Sequence, residues 1–275
     1  MTCRAALAIA AILVSVAAPV STSLPTPAST PVSQPASAQA STPTPVIVEL
    51  FTSEGCSSCP PADALLQKLL ETQPLPGAVI IGLGQHVDYW DQLGWKDRFS
   101  SAALTNRQRV YAARLSNGNV YTPQMVVDGG AELVGSDASQ ARRALQRAVA
   151  APHGLVRLNQ VLNVAADRGE AQVTVTVTAD DLPRRGSGDH ADMIVAVTED
   201  HLRSEVTRGE NHGRVLTHAA VVRQLMTIGE APGPSSTRIR LAPDWQRDEL
   251  KIVAFVQERR SRAILGSATA PLAAR

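Results

Sequence analysis

The run Val46-Ile47-Val48-Glu49-Leu50-Phe51 constrains this chain most, because Thr52-Ser53-Glu54-Gly55, the pair Cys56-Ser57-Ser58-Cys59 and a helical pattern follow it directly. Apolar Ala64, Leu65, Leu66, Leu69 and Leu70 recur at helical spacing across residues 62–71. The order is therefore strand, loop, thiol pair, helix. A helix start presents unpaired backbone N–H groups and the positive end of its dipole, and both stabilise a thiolate. If the helix begins at Cys56 or just after it, Cys56 is the nucleophile. Cys59, one turn inside, then resolves a mixed disulfide. Pro60 and Pro61 suit a helix that begins close to Cys59, since first-turn N–H groups have no intrahelical partner to lose.

The N-terminus sets the compartment in which these thiols are read. Arg4 precedes an apolar run over residues 5–18, which Pro19, Ser21, Thr22 and Ser23 interrupt. A bilayer span needs about 20 apolar residues, so the segment reads as an export signal. Small residues mark cleavage sites near Val16-Ala17-Ala18 and at Ala38-Gln39-Ala40, and the second fits better. Residues 1–40 are then the signal, 41–45 a linker remnant, and the mature protein is periplasmic or secreted; an uncleaved anchor is the alternative. Residues 19–45 mix Pro, Ser, Thr, Ala and Gln as a tether does. Of three cysteines, Cys3 leaves with the signal. The remaining close pair constrains little unfolded chain, so chemistry explains it better than stapling.

Residues 78–83 read as a buried strand, 105–115 as a helix, 124–127 as a strand closed by Asp128-Gly129-Gly130, and 138–150 as a helix capped by Ser136-Asp137. Residues 46–150 thus form an α/β domain. Beyond Pro152 the pattern changes, with Val173, Val175 and Val177 alternating with threonines. Further strand candidates at 155–164, 193–198, 237–241 and 250–256, with turn signals at 167–169 and 185–188, predict an all-β sandwich-like domain over 155–272. Net charge is +1 over 275 residues, which gives no polyanion-binding surface and no expected nucleic-acid partner.

Residues 46–59, then Thr122-Pro123 leading into Met125-Val126-Val127-Asp128-Gly129 and a terminal helix, resemble the thioredoxin superfamily. The resemblance implies a cis proline at Pro123 beside the disulfide, with the Thr122 backbone presented to an extended substrate. It also makes Glu49 a candidate proton acceptor, with a pKa raised by desolvation near the pair. Gly55 departs from the family, which has an aromatic residue before its first cysteine. Glu49 stands one residue further from the cysteines than the family's acid. The segments 51–63, 86–91 and 208–214 resemble an uncharacterised secreted family, the domain of unknown function 1223, from about Val46 to the C-terminus.

Six of the nine aromatic residues fall between Tyr89 and Tyr121. Tyr89 and Trp90 are candidates for a substrate wall, and a local core is the plainer reading. His86 with Cys56 and Cys59 offers a ligand set for Cu(I) or zinc. Glu210-Asn211-His212, between glycines, forms a loop that either reaches toward Cys56 or is a satisfied turn. His201 and His218 carry no separate signal. The expectation is a thiol–disulfide oxidoreductase or isomerase acting on protein thiols or disulfides, with a redox partner protein and no cofactor. Membrane contact enters only through an uncleaved N-terminus. The alternatives are a copper-binding chaperone and a non-enzymatic interaction module on a thioredoxin-like scaffold.

Overall fold

A computed structural model describes residues 42–164, 171–183 and 189–272, with Ser15 alone before them. The export signal with its cleavage sites, Cys3, and the turn signals at 167–169 and 185–188 lie outside the described residues. Among these, no helix is long and apolar enough to cross a membrane.

The chain runs β1 (Thr44–Thr52), α1 (Pro60–Thr72), β2 (Ala78–His86), α2 (Ala102–Leu115), β3 (Gln124–Val127), β4 (Ala131–Val134) and α3 (Ala138–Ala150). Then follow β5 (Leu155–Val164), β6 (Ala171–Asp180), β7 (Ala191–Glu199), β8 (Leu202–Glu205), β9 (Val215–His218), β10 (Val221–Ala231), β11 (Ser235–Leu241), β12 (Leu250–Glu258) and β13 (Ile264–Pro271). β1 begins at Thr44 and pairs with β2 from that residue, so the last two residues of the expected linker remnant are strand. It is buried on both faces from Val46 to Thr52, which is why it reads as a near-continuous apolar run rather than an alternating one.

β1 is flanked by parallel β2 and antiparallel β3 within one eight-stranded sheet ordered β13-β12-β7-β10-β2-β1-β3-β4. Four strands of the second sequence half therefore continue the sheet begun by the first. The join is a single parallel bridge, Val221 to Gly84, with Gly84 N donating to Ala220 O at 2.7 Å. A Cβ on Gly84 would lie 3.0 Å from Ala219 O, so glycine lets the two backbones meet. A second join lies at the turn after β3. Gly129, at φ +67°, sits where a Cβ would fall on Arg262 O, and Ile264 N donates to Asp128 O at 3.0 Å.

β11, β6 and β5 form a separate sheet. Val173, Val175 and Val177 point inward from β6 onto Met193, Val195 and Val197 of β7 and Ile252 and Ala254 of β12. Each buried valine contributes about 1.5–3 kcal/mol of transfer free energy. On the other side, α1 and α3 cover β1 and β3 through Leu66, Leu69, Ala141 and Leu145. Asp137 caps α3 by accepting from Gln140 N at 2.9 Å, as its sequence position predicts. These hydrogen bonds pull its carboxyl down to about 2.

Candidate thiol site

α1 starts at Pro60, not at Cys56, and Cys59 occupies its N-cap position. This corrects the placement of Cys59 one turn inside the helix. Prolines at the first two helical positions have no N–H to bond back toward Cys56, so the helical ladder cannot extend to it, although Cys59 itself has helical backbone at φ −77° and ψ −37°. The cysteines instead flank a tight turn, in which Cys59 N donates to Cys56 O at 3.2 Å. They form a disulfide with their Cα atoms 5.4 Å apart. Ser58 Oγ lies 3.4 Å from Cys56 Sγ. Both cysteines are 0% exposed.

Three segments close around this pair. The first carries Trp90, which is half-buried beside Gly55: a Cβ there would stand 3.2 Å from Trp90 Cβ. Trp90 Nε1 donates to Thr122 Oγ1 at 2.8 Å. An aromatic side chain thus reaches the residue before Cys56 from a distant loop. Tyr89 and Trp90 also pack on Phe51, Val87, Tyr111 and Val126, so they form part of a local core. The second segment is Thr122-Pro123, joined by a cis peptide bond. Pro123 is buried across Gly135 from α1, where a Cβ on Gly135 would lie 3.1 Å from both Ala62 Cβ and Pro123 Cβ.

The third segment comes from the second half of the chain. Asn211, 0% exposed, donates from Nδ2 to Glu54 O at 2.8 Å and to Cys56 O at 2.9 Å. Glu210 Oε2 accepts from Ser57 N at 3.1 Å. Of the two readings of this loop, the one that reaches toward Cys56 holds, while His212 stays exposed.

Glu54, two residues before Cys56, is 1% exposed and tied on all sides. Its N–H donates to Asp97 Oδ2 at 2.9 Å, and its carboxylate meets Trp95 Nε1 at 2.7 Å and His218 Nε2 at 3.2 Å. Burial alone would raise its pKa, but the hydrogen bonds from His218 and Trp95 outweigh that and hold it below the ordinary carboxylate value. Asp97 also holds His86 Nδ1 at 2.6 Å. Burial works against the imidazolium, yet the Asp97 charge raises the pKa of His86, and His86 in turn lowers that of Asp97. His86 and His218 meet edge to face, with ring centroids 4.8 Å apart. His218, read as silent in the sequence, is therefore part of the site's surround. Among the described residues no group of three His, Cys, Asp or Glu side chains is arranged to hold a metal ion, so the set Cys56, Cys59 and His86 is not assembled.

Glu49 is fully buried, and burial favours its neutral form, but the Arg107 guanidinium overrides this and lowers its pKa. Arg107 Nε and Nη2 stand 2.5 and 2.9 Å from its carboxylate, which also accepts from Tyr111 and Gln85. The raised pKa expected for Glu49 is thus corrected by a partner, Arg107, supplied from α2. Beside the pair, one turn beyond Cys59, the carboxyl that is raised is that of Asp63, where burial pushes it up to about 6 against the opposing charges of His218 and His86. Its i, i+4 spacing from Cys59 is the signal that would have found it.

The profile of the family described as Protein of unknown function (DUF1223) matches residues 47–257. Protein AGR_C_4864 from Agrobacterium tumefaciens has a similar crystal structure, with a TM-score of 0.57 at 27% identity over 85% of this chain and 96% of that one. HBP35 of Porphyromonas gingivalis gives a TM-score of 0.57 at 15% identity over 85% of this chain and 77% of that one, a likeness of fold alone. No curated protein matches the chain.

Proposed function

The chain belongs to the DUF1223 family, whose description assigns no activity, and we propose from the site itself that it is an exported thiol–disulfide oxidoreductase or isomerase built on a thioredoxin-like arrangement. One observation carries the reading. A four-residue cysteine turn caps α1, and Trp90 links the residue before Cys56 to Thr122, which precedes the cis proline. A pair placed this way serves exchange chemistry better than stability.

In the reduced protein, Cys56 thiolate attacks one sulfur of a substrate disulfide, forms the mixed disulfide and releases a substrate thiolate. Cys59 then attacks Cys56 Sγ, restores the internal disulfide and releases the second substrate thiolate, so two electrons pass to the substrate. Ser58 Oγ donates toward the Cys56 sulfur as charge develops there. Thr122 and Trp90 border the path of an extended peptide whose sulfur faces Cys56. Asp63, with its proton affinity near neutrality, is suited to take the Cys59 proton, whereas Glu49 is committed to Arg107.

Cys56→Ser is the decisive variant. It should abolish reduction of a small disulfide and form no mixed disulfide at that position. Undiminished turnover would eliminate the mechanism.

A further inference from the structure

We propose that the tip of the hairpin of β8 and β9 is a redox-coupled lid over the thiol site, latched by Asn211 and Glu210 in the disulfide state and released once Cys56 is a thiolate. The proposal rests on the thiol-exchange reading above, because a lid needs a reacting sulfur to guard.

Closure is plain from the geometry. Cys56 and Cys59 are both 0% exposed, and the hairpin tip is bonded to Glu54, Cys56 and Ser57 in succession. Cys56 has no exposed surface while the tip is docked on its backbone. The latch is complete in the disulfide state: Asn211 Nδ2 serves two carbonyls, and its Oδ1 accepts from Arg214 Nη1 at 3.1 Å. The tip is also internally braced, with Val206 N to Arg214 O at 3.0 Å and Gly213 N to Val206 O at 2.8 Å. It can therefore move without losing its own shape.

The base of the hairpin is anchored by His218 on Glu54 and by Leu202 against Phe99, so the part that moves is the tip over residues 206–214. β8 and β9 pair only with each other, apart from both larger sheets. An isolated two-stranded ribbon is marginal and depends on what it docks against. A cleft of about 360 Å³ opens between part of the hairpin and α1, lined by Gln67, Leu70 and Glu71 on one side and Leu202, Arg203 and Thr217 on the other, while β9 still packs on α1.

Charge couples the lid to redox state. Glu210 is exposed and ionised, and its hydrogen bond from Ser57 N holds it below the ordinary carboxylate value. A dithiol reductant such as dithiothreitol delivers two electrons and two protons to the disulfide and leaves as its own cyclic disulfide. Ionisation of the Cys56 thiol then places an anion next to the amide that Glu210 occupies. The thiolate repels Glu210 and competes for the same N–H. By reciprocity, contacts made better in the disulfide state make that disulfide harder to reduce.

The test is amide hydrogen exchange on the mature chain, oxidised and after dithiothreitol reduction, with Glu210→Gln alongside. Residues 206–214 should exchange about tenfold faster on reduction, while β1 is unchanged. Glu210→Gln keeps a hydrogen-bond acceptor but no charge. It should narrow that gap and shift the equilibrium with glutathione about three- to tenfold toward the dithiol, or about 15–30 mV. Equal exchange in both redox states, or a Glu210→Gln equilibrium that does not move, would overturn the lid. Redox-dependent exchange in a protein that reduces no substrate would uphold the lid and sink the enzymatic reading instead.

Discussion

Trp90 Nε1 donates to the hydroxyl of Thr122 at 2.8 Å, and this one bond joins the aromatic insertion to the residue ahead of the cis proline. Trp90→Phe keeps a ring against Gly55 but loses the bond. It should cost about 1 kcal/mol of stability and reduce turnover of a peptide disulfide about tenfold while sparing a small disulfide. Parallel assays on the two substrates, with urea denaturation, check this. Equal losses on both substrates would count against a peptide-binding wall.

Gly55 and Trp90 form a steric pair. Gly55→Ala places a methyl 3.2 Å from Trp90 Cβ and 3.4 Å from Trp90 O, so one partner must shift. The expected cost is about 1 kcal/mol; Trp90→Ala keeps both the Cβ and the carbonyl and should not relieve it, whereas Trp90→Gly removes the nearer contact. A double-mutant cycle by denaturation measures the coupling.

Glu49 and Arg107 stand or fall together. Glu49→Gln leaves a buried guanidinium without its counter-charge and should destabilise the protein by about 3–5 kcal/mol. Because the folded pKa of Glu49 lies below the ordinary carboxylate value of 4.5, its stabilisation is present above that value and is lost as pH falls through the folded pKa. The variant should accordingly lose less further stability than the wild type on acidification. Urea midpoints from pH 7 down to pH 3 read this out.

Asp63 behaves in the opposite sense. Its folded pKa of about 6 exceeds the ordinary value of 3.8, so the folded state binds the extra proton and stability falls as pH rises between those values. Asp63→Asn should be more stable than wild type at pH 7, with the advantage gone below pH 4. The same variant should slow thiol exchange and remove a step near pH 6 from its rate profile. A profile unchanged by the substitution would show that Asp63 takes no proton in the reaction.

The disulfide contributes little to folding. A loop of this length restricts the unfolded chain by about 2 kcal/mol, so the Cys56→Ser/Cys59→Ser double variant should remain folded with a modestly lower Tm. Thermal unfolding under non-reducing conditions provides the check.

Several of these features were legible in the sequence and others were not, for physical reasons. β1, α1 and α3 were readable because apolar spacing, consecutive prolines and an Asp cap are local signals. The thiol pair and Thr122-Pro123 were readable as motifs. The partner of Glu49 was not, since Arg107 lies 58 residues away and only tertiary packing makes it a neighbour. β8 and β9 alternate, but over only four residues each, too few for the period to stand out, and β10 is half-buried through its middle with no alternation. Glu210 and Asn211 stood out by composition, but their target, 153 to 157 residues upstream, could not be read from spacing.

The bridge between Gly84 and Val221 bears on how the chain is made. β2 emerges during synthesis with one edge unpaired, and the strand that covers it arrives only 137 residues later. At synthesis rates of about 5–20 residues per second, that edge waits on the order of ten seconds. Through that interval the half carrying both cysteines presents a strand edge open to other chains. A fragment ending at Ala150 keeps that edge open and should aggregate rather than fold alone.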